Sequence, residues 1–179
     1  FQMRHRRNPI HHMQSRLKTI QSMLEKLKRK NYEVSINSAV KNLQDIAGIR
    51  VICSYVQDVY TIANLLVSQD DVHLVRMADY IREPKPNGYR SLHLIVEIPV
   101  FLSEGRILVP VEVQIRTIAM DFWASLEHSL RYKAQEYIPQ HISDELQRVA
   151  TDIASLDQRM QAIHDQVDEL SDARSDNAT

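Results

Sequence analysis

The feature that most restricts the fold of this sequence is a row of apolar residues near its C-terminal end. Nine of them follow one another at alternating steps of four and three without a lapse: Ile142, Leu146, Val149, Ile153, Leu156, Met160, Ile163, Val167 and Leu170. This spacing is typical of an α-helix with a narrow coiled-coil seam. It predicts one long helix that mediates oligomerisation, and the alternative is that the helix packs on the chain's own sheet.

The rest of the chain mixes helix and strand signals. Apolar spacing predicts helices over residues 9–30, 37–43, 59–67 and 117–136. Alternation and β-branched composition predict strands over residues 48–55, 72–81, 92–101 and 107–116, the last two as a hairpin. We therefore expect the α+β class, with a small mixed β-sheet of about five strands flanked by helices and followed by the long C-terminal helix.

Composition excludes several classes of protein. Of the 179 residues, 44% are apolar and 25% are charged, which is ordinary for a soluble globular protein. The one cysteine, Cys53, lies in an apolar run, so we expect a buried thiol and no disulfide within the chain. Apolar stretches are too short to cross a bilayer and the first residues lack a signal-peptide core, which predicts a cytoplasmic protein without a membrane partner.

Charge is distributed unevenly along the chain. Residues 1–41 contain ten Lys and Arg residues against two acidic residues, whereas residues 136–179 contain ten acidic residues against three Arg residues. A basic segment that meets phosphates and a solvated acidic helix would explain this distribution. The alternative is that the opposite ends simply attract each other.

Glycine is scarce, and its scarcity excludes the common nucleotide-binding loops. The three glycines, Gly48, Gly88 and Gly105, are too far apart to form a Walker loop or a Gly-x-Gly-x-x-Gly motif. If the protein binds nucleotides, cationic side chains must hold the phosphates.

A first group of polar residues lies within the first predicted helix. At about 100° per residue, Lys18, Ser22 and Lys26 share one face, with Arg16 just beyond, while the apolar residues point the other way. Such a face could bind phosphates, although amphipathic helices commonly carry solvated lysines.

Two further groups lie on predicted strands. Asp45 and Arg50 bracket the loop that leads into one strand, and alternation places Glu112, Gln114 and Arg116 on one face of another. If the two strands are neighbours, Asp45 and Glu112 would form a site of hard oxygen ligands suited to Mg²⁺. The alternatives are an Asp45–Arg50 ion pair and a polar face exposed to solvent.

A fourth group lies in a turn rich in proline and glycine. Lys85, Asn87 and Tyr89 offer a phosphate contact, a hydrogen-bonding amide and a stacking surface for a purine. The alternative is an ordinary turn in which Tyr89 folds onto the core.

Taken together, these segments resemble the synthetase domain of RelA/SpoT homologues, and in particular its short stand-alone members. The matching pieces span residues 14–133: Arg16-x-Lys18-x-x-x-Ser22-x-x-x-Lys26, Asp45-x-x-Gly48-x-Arg50, Asp79-Tyr-Ile81, Lys85-Pro-Asn-Gly-Tyr89 through His93, Glu112-x-Gln114-Ile-Arg-Thr117 and Phe122-Trp-Ala-x-x-Glu127-His128. The resemblance implies a nucleotidyltransferase-like synthetase domain over residues 1–136, with residues 137–179 as an oligomerisation element.

The resemblance also implies an activity. The enzyme would transfer the β,γ-pyrophosphate of ATP to the 3′-hydroxyl of GDP or GTP, giving AMP and the alarmone ppGpp or pppGpp of the stringent response. Short members of the family form tetramers through terminal helices, which agrees with the seam described above.

Individual residues take roles from the same resemblance. Arg16 and Arg50 would stack around adenine, and Lys18, Ser22 and Lys26 would bind the ATP phosphates. Asp45 and Glu112 would hold Mg²⁺, and Glu112 would also be the base for the acceptor hydroxyl. The residues expected to bind the acceptor, with Tyr89 stacking on guanine, are Lys85, Asn87, Tyr89, His93 and Gln114.

This sequence departs from the long bifunctional enzymes in two places. It has Arg76-Met-Ala78-Asp79 where they have Arg-x-Lys-Asp, which leaves the preference between GDP and GTP open. A run from His164 to Glu169 is similar to the His-Asp element of the family's hydrolase domain, but it lies inside the seam helix without the other metal ligands. We therefore expect no hydrolase activity.

Two other functions compete with this interpretation. The first is an RNA- or nucleotide-binding regulatory module without turnover, since basic residues and an aromatic platform would suit that role as well. The negative charges of Asp45 and Glu112, close together, would repel a phosphate backbone, so we expect no stable nucleic-acid partner. The second is transfer of a nucleotidyl or phosphoryl group from ATP to another acceptor.

Overall fold

The structure, a computed structural model, describes residues 7–134 and 138–176, and a five-stranded mixed sheet forms its centre. The strands are β1 (Ile10–Leu17), β2 (Ala47–Cys53), β3 (His73–Asp79), β4 (Leu92–Leu102) and β5 (Gly105–Thr117), in the spatial order β1-β2-β5-β4-β3. Strands β2 and β5 are parallel, and the other three neighbouring pairs are antiparallel. The predicted α+β fold with a small mixed sheet is confirmed.

In the described part of the chain, five helices accompany the sheet. They are α1 (Ile20–Arg29), α2 (Ile36–Asn42), α3 (Val56–Val67), α4 (Ile118–Lys133) and α5 (Gln140–Asp176). Most of these helices have at least one end within a few residues of the predicted bound. The predicted end of the fourth helix, at Glu136, lies outside the described residues.

The prediction of a single helix over residues 9–30 is wrong. Residues Ile10–Leu17 form the edge strand β1, and α1 begins only after Thr19, whose side chain caps it by accepting a hydrogen bond from the Ser22 amide. Leu17 and Ile20, two of the residues that suggested a helical period, are 76% and 72% exposed. Their spacing therefore does not reflect burial, and pairing with β2 decides the local conformation.

The main core lies between one face of the sheet and α3. Its buried residues come from four elements: Val51, Cys53, Val59, Ala63, Leu92, Leu94, Val96, Val111, Val113 and Ile115. Cys53 is fully buried, as predicted, and burial raises the pKa of its thiol to about 12. Because Val111, Val113 and Ile115 alternate into this core, the intervening side chains of β5 point to the opposite face of the sheet.

The long helix α5 presents two different faces. Ala150, Ala154 and Asp157 are buried against the domain. Seven residues of the predicted seam remain 38–62% exposed: Ile142, Val149, Leu156, Met160, Ile163, Val167 and Leu170. One face therefore packs on the chain itself, mainly on α3 and α4 rather than on the sheet that the alternative expected, while most of the seam is left uncovered. Within the described residues, α5 included, no helix has the length and apolarity to cross a membrane.

Asp157 anchors α5 to the sheet, and its burial predicts a dependence of stability on pH. Its Oδ2 accepts a hydrogen bond of 2.5 Å from the hydroxyl of Thr117, the last residue of β5. Burial raises the pKa of Asp157, although the Thr117 hydrogen bond and the charge of Arg90 oppose the shift. An acid whose pKa is higher in the folded state contributes stability below its unfolded pKa and loses it as the pH rises through the folded pKa.

We therefore expect Asp157→Asn, which keeps the acceptor oxygen without the charge, to gain stability relative to the original protein as the pH rises from about 3 to about 7. Urea unfolding at each pH measures the difference in the free energy of unfolding. Asp152→Asn, at an exposed position on the same helix, is the matched control and should show no such trend. A constant difference between Asp157→Asn and the original protein across this range would contradict the prediction.

Candidate active site

A cleft of about 700 Å³ lies on the face of the sheet opposite the core. Sheet register aligns its residues in two rows: Arg16, Gly48 and Glu112 are directly paired across β1, β2 and β5, and Arg50, Gln114 and His93 are paired across β2, β5 and β4. Eight of the predicted site residues line the cleft: Arg16, Asp45, Arg50, Lys85, Tyr89, His93, Glu112 and Gln114. The predicted residues Lys18, Ser22, Lys26 and Asn87 are not among those that line it.

Asp45 joins the two lysines that sequence analysis placed on a single helical face. Its Oδ2 accepts hydrogen bonds from the Nζ atoms of Lys18 and Lys26 at 2.7 and 2.6 Å. Burial alone would raise the pKa of Asp45, but the two lysines outweigh burial and hold that pKa below its usual value. The lysines therefore converge on one carboxylate beside the cleft.

The prediction that Arg16, Lys18, Ser22 and Lys26 lie on one helix is wrong, although the two lysines do converge on Asp45. Arg16 lies on β1, Lys18 lies between β1 and α1, and only Ser22 and Lys26 belong to the helix. Lys18 is held by a hydrogen bond of 2.8 Å from its backbone amide to the carbonyl of Ile46. Ser22 is part of the helix cap, where its hydroxyl accepts a hydrogen bond from the Thr19 hydroxyl.

Glu112 lies at the centre of the cleft on β5. Gln114 Nε2 donates a hydrogen bond of 3.0 Å to its carboxylate, and His93 Nδ1 and Arg16 Nη2 lie 3.5 and 3.9 Å from it. Burial and the charge of Asp45 would raise the pKa of Glu112, but His93 and Gln114 keep it below its usual value. Glu112 is therefore ionised at neutral pH.

Asp45 and Glu112 form a pair of carboxylates that could hold a divalent cation. The neighbouring positions of β2 and β5 that this pairing required are confirmed. Asp45 Oδ1 is buried and has no hydrogen-bond partner, so this oxygen is free to bind a cation. Among the described residues, no group of three His, Cys, Asp or Glu residues could hold a metal. Two carboxylates suit Mg²⁺, which usually takes one or two of them together with water and substrate phosphates.

The turn over residues 85–89 forms another wall of the cleft. Lys85 Nζ lies 4.6 and 4.8 Å from the ring centroids of Tyr80 and Tyr89, and the Tyr89 hydroxyl is hydrogen-bonded to His93 Nε2 at 2.8 Å. Burial raises the pKa of Tyr89, so its hydroxyl stays neutral. Asn87 is not among the residues that line the cleft; its Nδ2 donates a hydrogen bond of 3.1 Å to Glu127 on α4, which does line it. Asn87 therefore holds the turn in place.

Arg116 connects both halves of the cleft, although sequence reasoning assigned it no role. Its side chain is only 4% exposed and donates hydrogen bonds to the Tyr89 hydroxyl, to Gln114 Oε1 and to Asp121 at 2.9–3.1 Å. Asp121 in turn lies 3.8 Å from Arg50. Burial lowers the pKa of Arg116. The signal in the sequence was its position four residues after Glu112, on the same face of the strand.

The cleft combines cations, two carboxylates and an aromatic surface. Cations and a metal stabilise phosphate charge, and an aromatic ring stacks on a base, so the arrangement suits two nucleotides bound side by side. Transfer of a phosphoryl or pyrophosphoryl group between them needs positioning and electrostatic stabilisation rather than a protein nucleophile.

Comparison with known proteins identifies a family and several close relatives. A model of the region found in RelA and SpoT proteins matches residues 15–137. The GTP pyrophosphokinase YwaC of Bacillus subtilis is 46% identical over 168 residues, which are 94% of this chain and 80% of the relative. The GTP pyrophosphokinase YjbM of the same organism is 40% identical, over 94% of this chain and 78% of the relative.

Solved structures agree with these matches. Small alarmone synthetase 2 from Bacillus subtilis superposes with a TM-score of 0.84 and 45% identity, covering 92% of this chain and 86% of that chain. Small alarmone synthetase 1 from the same organism, bound to its product pppGpp, superposes with a TM-score of 0.84 and 38% identity, covering 92% and 84% of the two chains.

Proposed function

This chain belongs to the family of RelA and SpoT proteins, and from that membership we infer that it is a (p)ppGpp synthetase, that is, a GTP pyrophosphokinase. It transfers the β,γ-pyrophosphate of ATP to the 3′-hydroxyl of GDP or GTP and releases AMP. The observation that carries this conclusion is the 46% identity to a GTP pyrophosphokinase over 94% of the chain. The cleft contains the charged and aromatic groups that this chemistry needs.

We propose that ATP binds on the side of the cleft formed by β1, β2 and α1. Arg16 and Arg50 would lie against adenine, because sheet register places both side chains on the cleft face. Lys18 and Lys26 would bind the phosphates, since their Nζ atoms already meet at Asp45. Ser22 would contribute from the first turn of α1.

We propose that Asp45 and Glu112 hold Mg²⁺ together with the phosphates of ATP. The free Oδ1 of Asp45 and the ionised carboxylate of Glu112 support this assignment. When bound, the ion would neutralise the phosphates and stabilise the charge that develops on them during transfer. Lys18 and Lys26, which both donate hydrogen bonds to Asp45, would be attracted by the negative charge of the phosphates.

The acceptor nucleotide would bind on the opposite side of the cleft. Tyr89 would stack on guanine while Lys85 and His93 contact the phosphates and Gln114 orders the acceptor. Asn87 would contribute to this site by holding the turn in place, since it donates a hydrogen bond to Glu127 at the cleft wall. The closeness of Lys85 Nζ to the Tyr89 ring supports a joint role for these two residues.

In the reaction, the 3′-oxygen of the acceptor attacks the β-phosphorus of ATP. A bond forms between these two atoms, the bond from the β-phosphorus to the α,β-bridging oxygen breaks, and AMP leaves with that oxygen. We propose that Glu112 accepts the proton of the 3′-hydroxyl. The pKa of Glu112 is low for a base, which is acceptable because phosphoryl transfer passes through a loose transition state that needs little proton removal in advance.

The reaction is tested directly with ATP labelled in the γ-phosphate, Mg²⁺ and either GDP or GTP. Label in a guanosine tetra- or pentaphosphate, together with an equal amount of AMP, is the expected result. Transfer to a different acceptor, or absence of transfer by folded protein, would overturn the assignment. The ratio of kcat/KM for GDP and GTP in the same assay determines the preferred acceptor.

We also propose that the protein is a homotetramer assembled through terminal helices, with residues 137–179 as the oligomerisation element and residues 1–136 as the synthetase domain. The support is the exposed apolar seam of α5, because seven half-exposed apolar residues in one row are typical of a helix that pairs with another. We place the protein in the cytoplasm, where its nucleotide substrates are made.

Charges on the seam should dissociate the assembly. We expect the double variant Ile163→Glu and Val167→Glu to lower the sedimenting mass, because buried carboxylates without partners are strongly unfavourable at a helix interface. Gln166→Glu, an exposed position between the two, adds a charge off the seam and should leave the mass unchanged. An original protein that sediments as a monomer, or a double variant of unchanged mass, would exclude the seam as the interface.

A further inference from the structure

We propose that Ala150 on α5 is a positioning residue for the acceptor nucleotide, because its contact with Gly88 determines where the turn over residues 85–89 lies. This inference rests on the proposed function, which assigns that turn to the acceptor site. It makes α5 a supporting wall of the active site in addition to any role in assembly.

The turn and the helix touch at a point where no additional atom fits. A Cβ atom built on Gly88 would lie 2.5 Å from the Cβ of Ala150 and 3.7 Å from Trp123 Cζ2. Gly88 also has a φ of 88°, a conformation that favours glycine. The backbone of the turn therefore lies directly on the surface of α5.

The position of Gly88 is transmitted to Tyr89 through a closed turn. The Gly88 amide donates a hydrogen bond of 2.8 Å to the Lys85 carbonyl, and the Lys85 amide donates one of 3.1 Å to the Tyr89 carbonyl. These bonds tie both ends of the turn together. A displacement of Gly88 would therefore move Lys85 and Tyr89, the proposed phosphate and guanine contacts, as a unit.

The helix is fixed on both sides of Ala150. Trp123 Nε1 donates a hydrogen bond of 3.0 Å to the carbonyl of Leu146, one turn before Ala150. Two turns after it, Asp157 binds the hydroxyl of Thr117. Ala150 itself is 5% exposed and packs in a cluster with Trp123 and Tyr89. Because the helix is anchored on either side, it acts as a rigid support and does not yield to the turn.

Helix α5, which supports the turn, lies outside the region that matches the family model. That region ends at residue 137, whereas α5 begins at residue 140. The proposed ATP contacts lie on β1, β2 and α1 and in the link between β1 and α1, and the lysines among them are held by Asp45. A change at the Gly88–Ala150 contact should therefore affect the acceptor nucleotide and leave ATP unaffected.

The first test is Gly88→Ala. We expect a rise of about tenfold or more in the KM for GDP or GTP, because misplacing a binding group by about 1 Å can cost up to about a hundredfold. The KM for ATP should stay unchanged. Gly105→Ala is the matched control, since Gly105 also has a positive φ, of 129°, but nothing lies within 4 Å of its added Cβ. This control should have the acceptor KM of the original protein.

The second test is rescue from the helix side. Removing the Cβ of Ala150 eliminates the clash but not the backbone strain at a φ of 88°. Gly88→Ala combined with Ala150→Gly should therefore recover the part of the acceptor affinity that the clash removes, which is the non-additivity expected of residues in contact. A merely structural role for Ala150 would not produce this recovery, because Ala→Gly within a helix is destabilising on its own. Calorimetric titration of GDP measures affinity independently of turnover.

A third variant covers the case in which Gly88→Ala does not fold. Ala150→Val enlarges the side chain that contacts Gly88 without changing the residue in the turn. It should raise the KM for the acceptor and leave the KM for ATP unchanged. Thermal unfolding of every variant establishes that folded protein is compared. The inference is overturned by absence of rescue, by equal changes in both KM values, or by an unchanged acceptor KM in Gly88→Ala and Ala150→Val. Failure of the proposed function is separate, since the original protein would then make no alarmone.

Discussion

Glu112→Gln is expected to lower kcat for alarmone formation by about a thousandfold or more, because one change removes a metal ligand and the proposed proton acceptor together. The amide keeps the shape of the side chain and can still contact Gln114 and His93. Nucleotide binding should therefore change far less than turnover. Labelled-pyrophosphate transfer measures kcat, and calorimetric titration measures the Kd of ATP and of GDP.

The control for this prediction is Glu104→Gln in the exposed turn between β4 and β5, which removes an equal charge far from the cleft. It should retain the kcat of the original protein. A Glu112→Gln protein that turns over at more than about a tenth of the original rate would remove Glu112 from the catalytic step, because loss of a metal ligand together with the proposed proton acceptor should cost at least about a hundredfold.

Asp45→Asn should separate ATP binding from catalysis. We expect kcat to fall by about a hundredfold and the Mg²⁺ concentration needed for half-maximal rate to rise, because a carboxylate ligand is lost. In the absence of a divalent cation, ATP should bind more tightly than to the original protein. The reason is that Lys18 and Lys26, now paired with Asp45 at 2.7 and 2.6 Å, become available to the phosphates.

Two measurements check this prediction: a Mg²⁺ titration of the rate and calorimetric titration of ATP in the presence of a chelator. Asp71→Asn removes an acidic charge from an exposed turn and should change neither quantity. Weaker binding of metal-free ATP to Asp45→Asn would mean that Asp45 positions the lysines for ATP instead of competing for them.

The sequence predicts the local structure correctly wherever burial imposes a period on it. Strands β4 and β5 show alternation because one face of each packs on the core, and that alternation placed Glu112, Gln114 and Arg116 together on the other face. The edge strand β1 has no such constraint, since seven of its eight residues are exposed. Its apolar residues therefore matched a helical spacing by accident, and pairing with β2 decided the conformation.

The sequence by itself determined the α+β class, the long C-terminal helix, the family and most of the residues around the cleft, because hydrophobic periodicity and motif chemistry are local properties of a chain. Only the tertiary structure decided which groups meet. It paired Lys18 and Lys26 with Asp45, turned Asn87 towards Glu127, buried Arg116 between two halves of the site and laid Gly88 on Ala150. Each of these contacts joins separate elements, and their distances depend on how the helices and strands pack in space, which spacing along one segment does not encode.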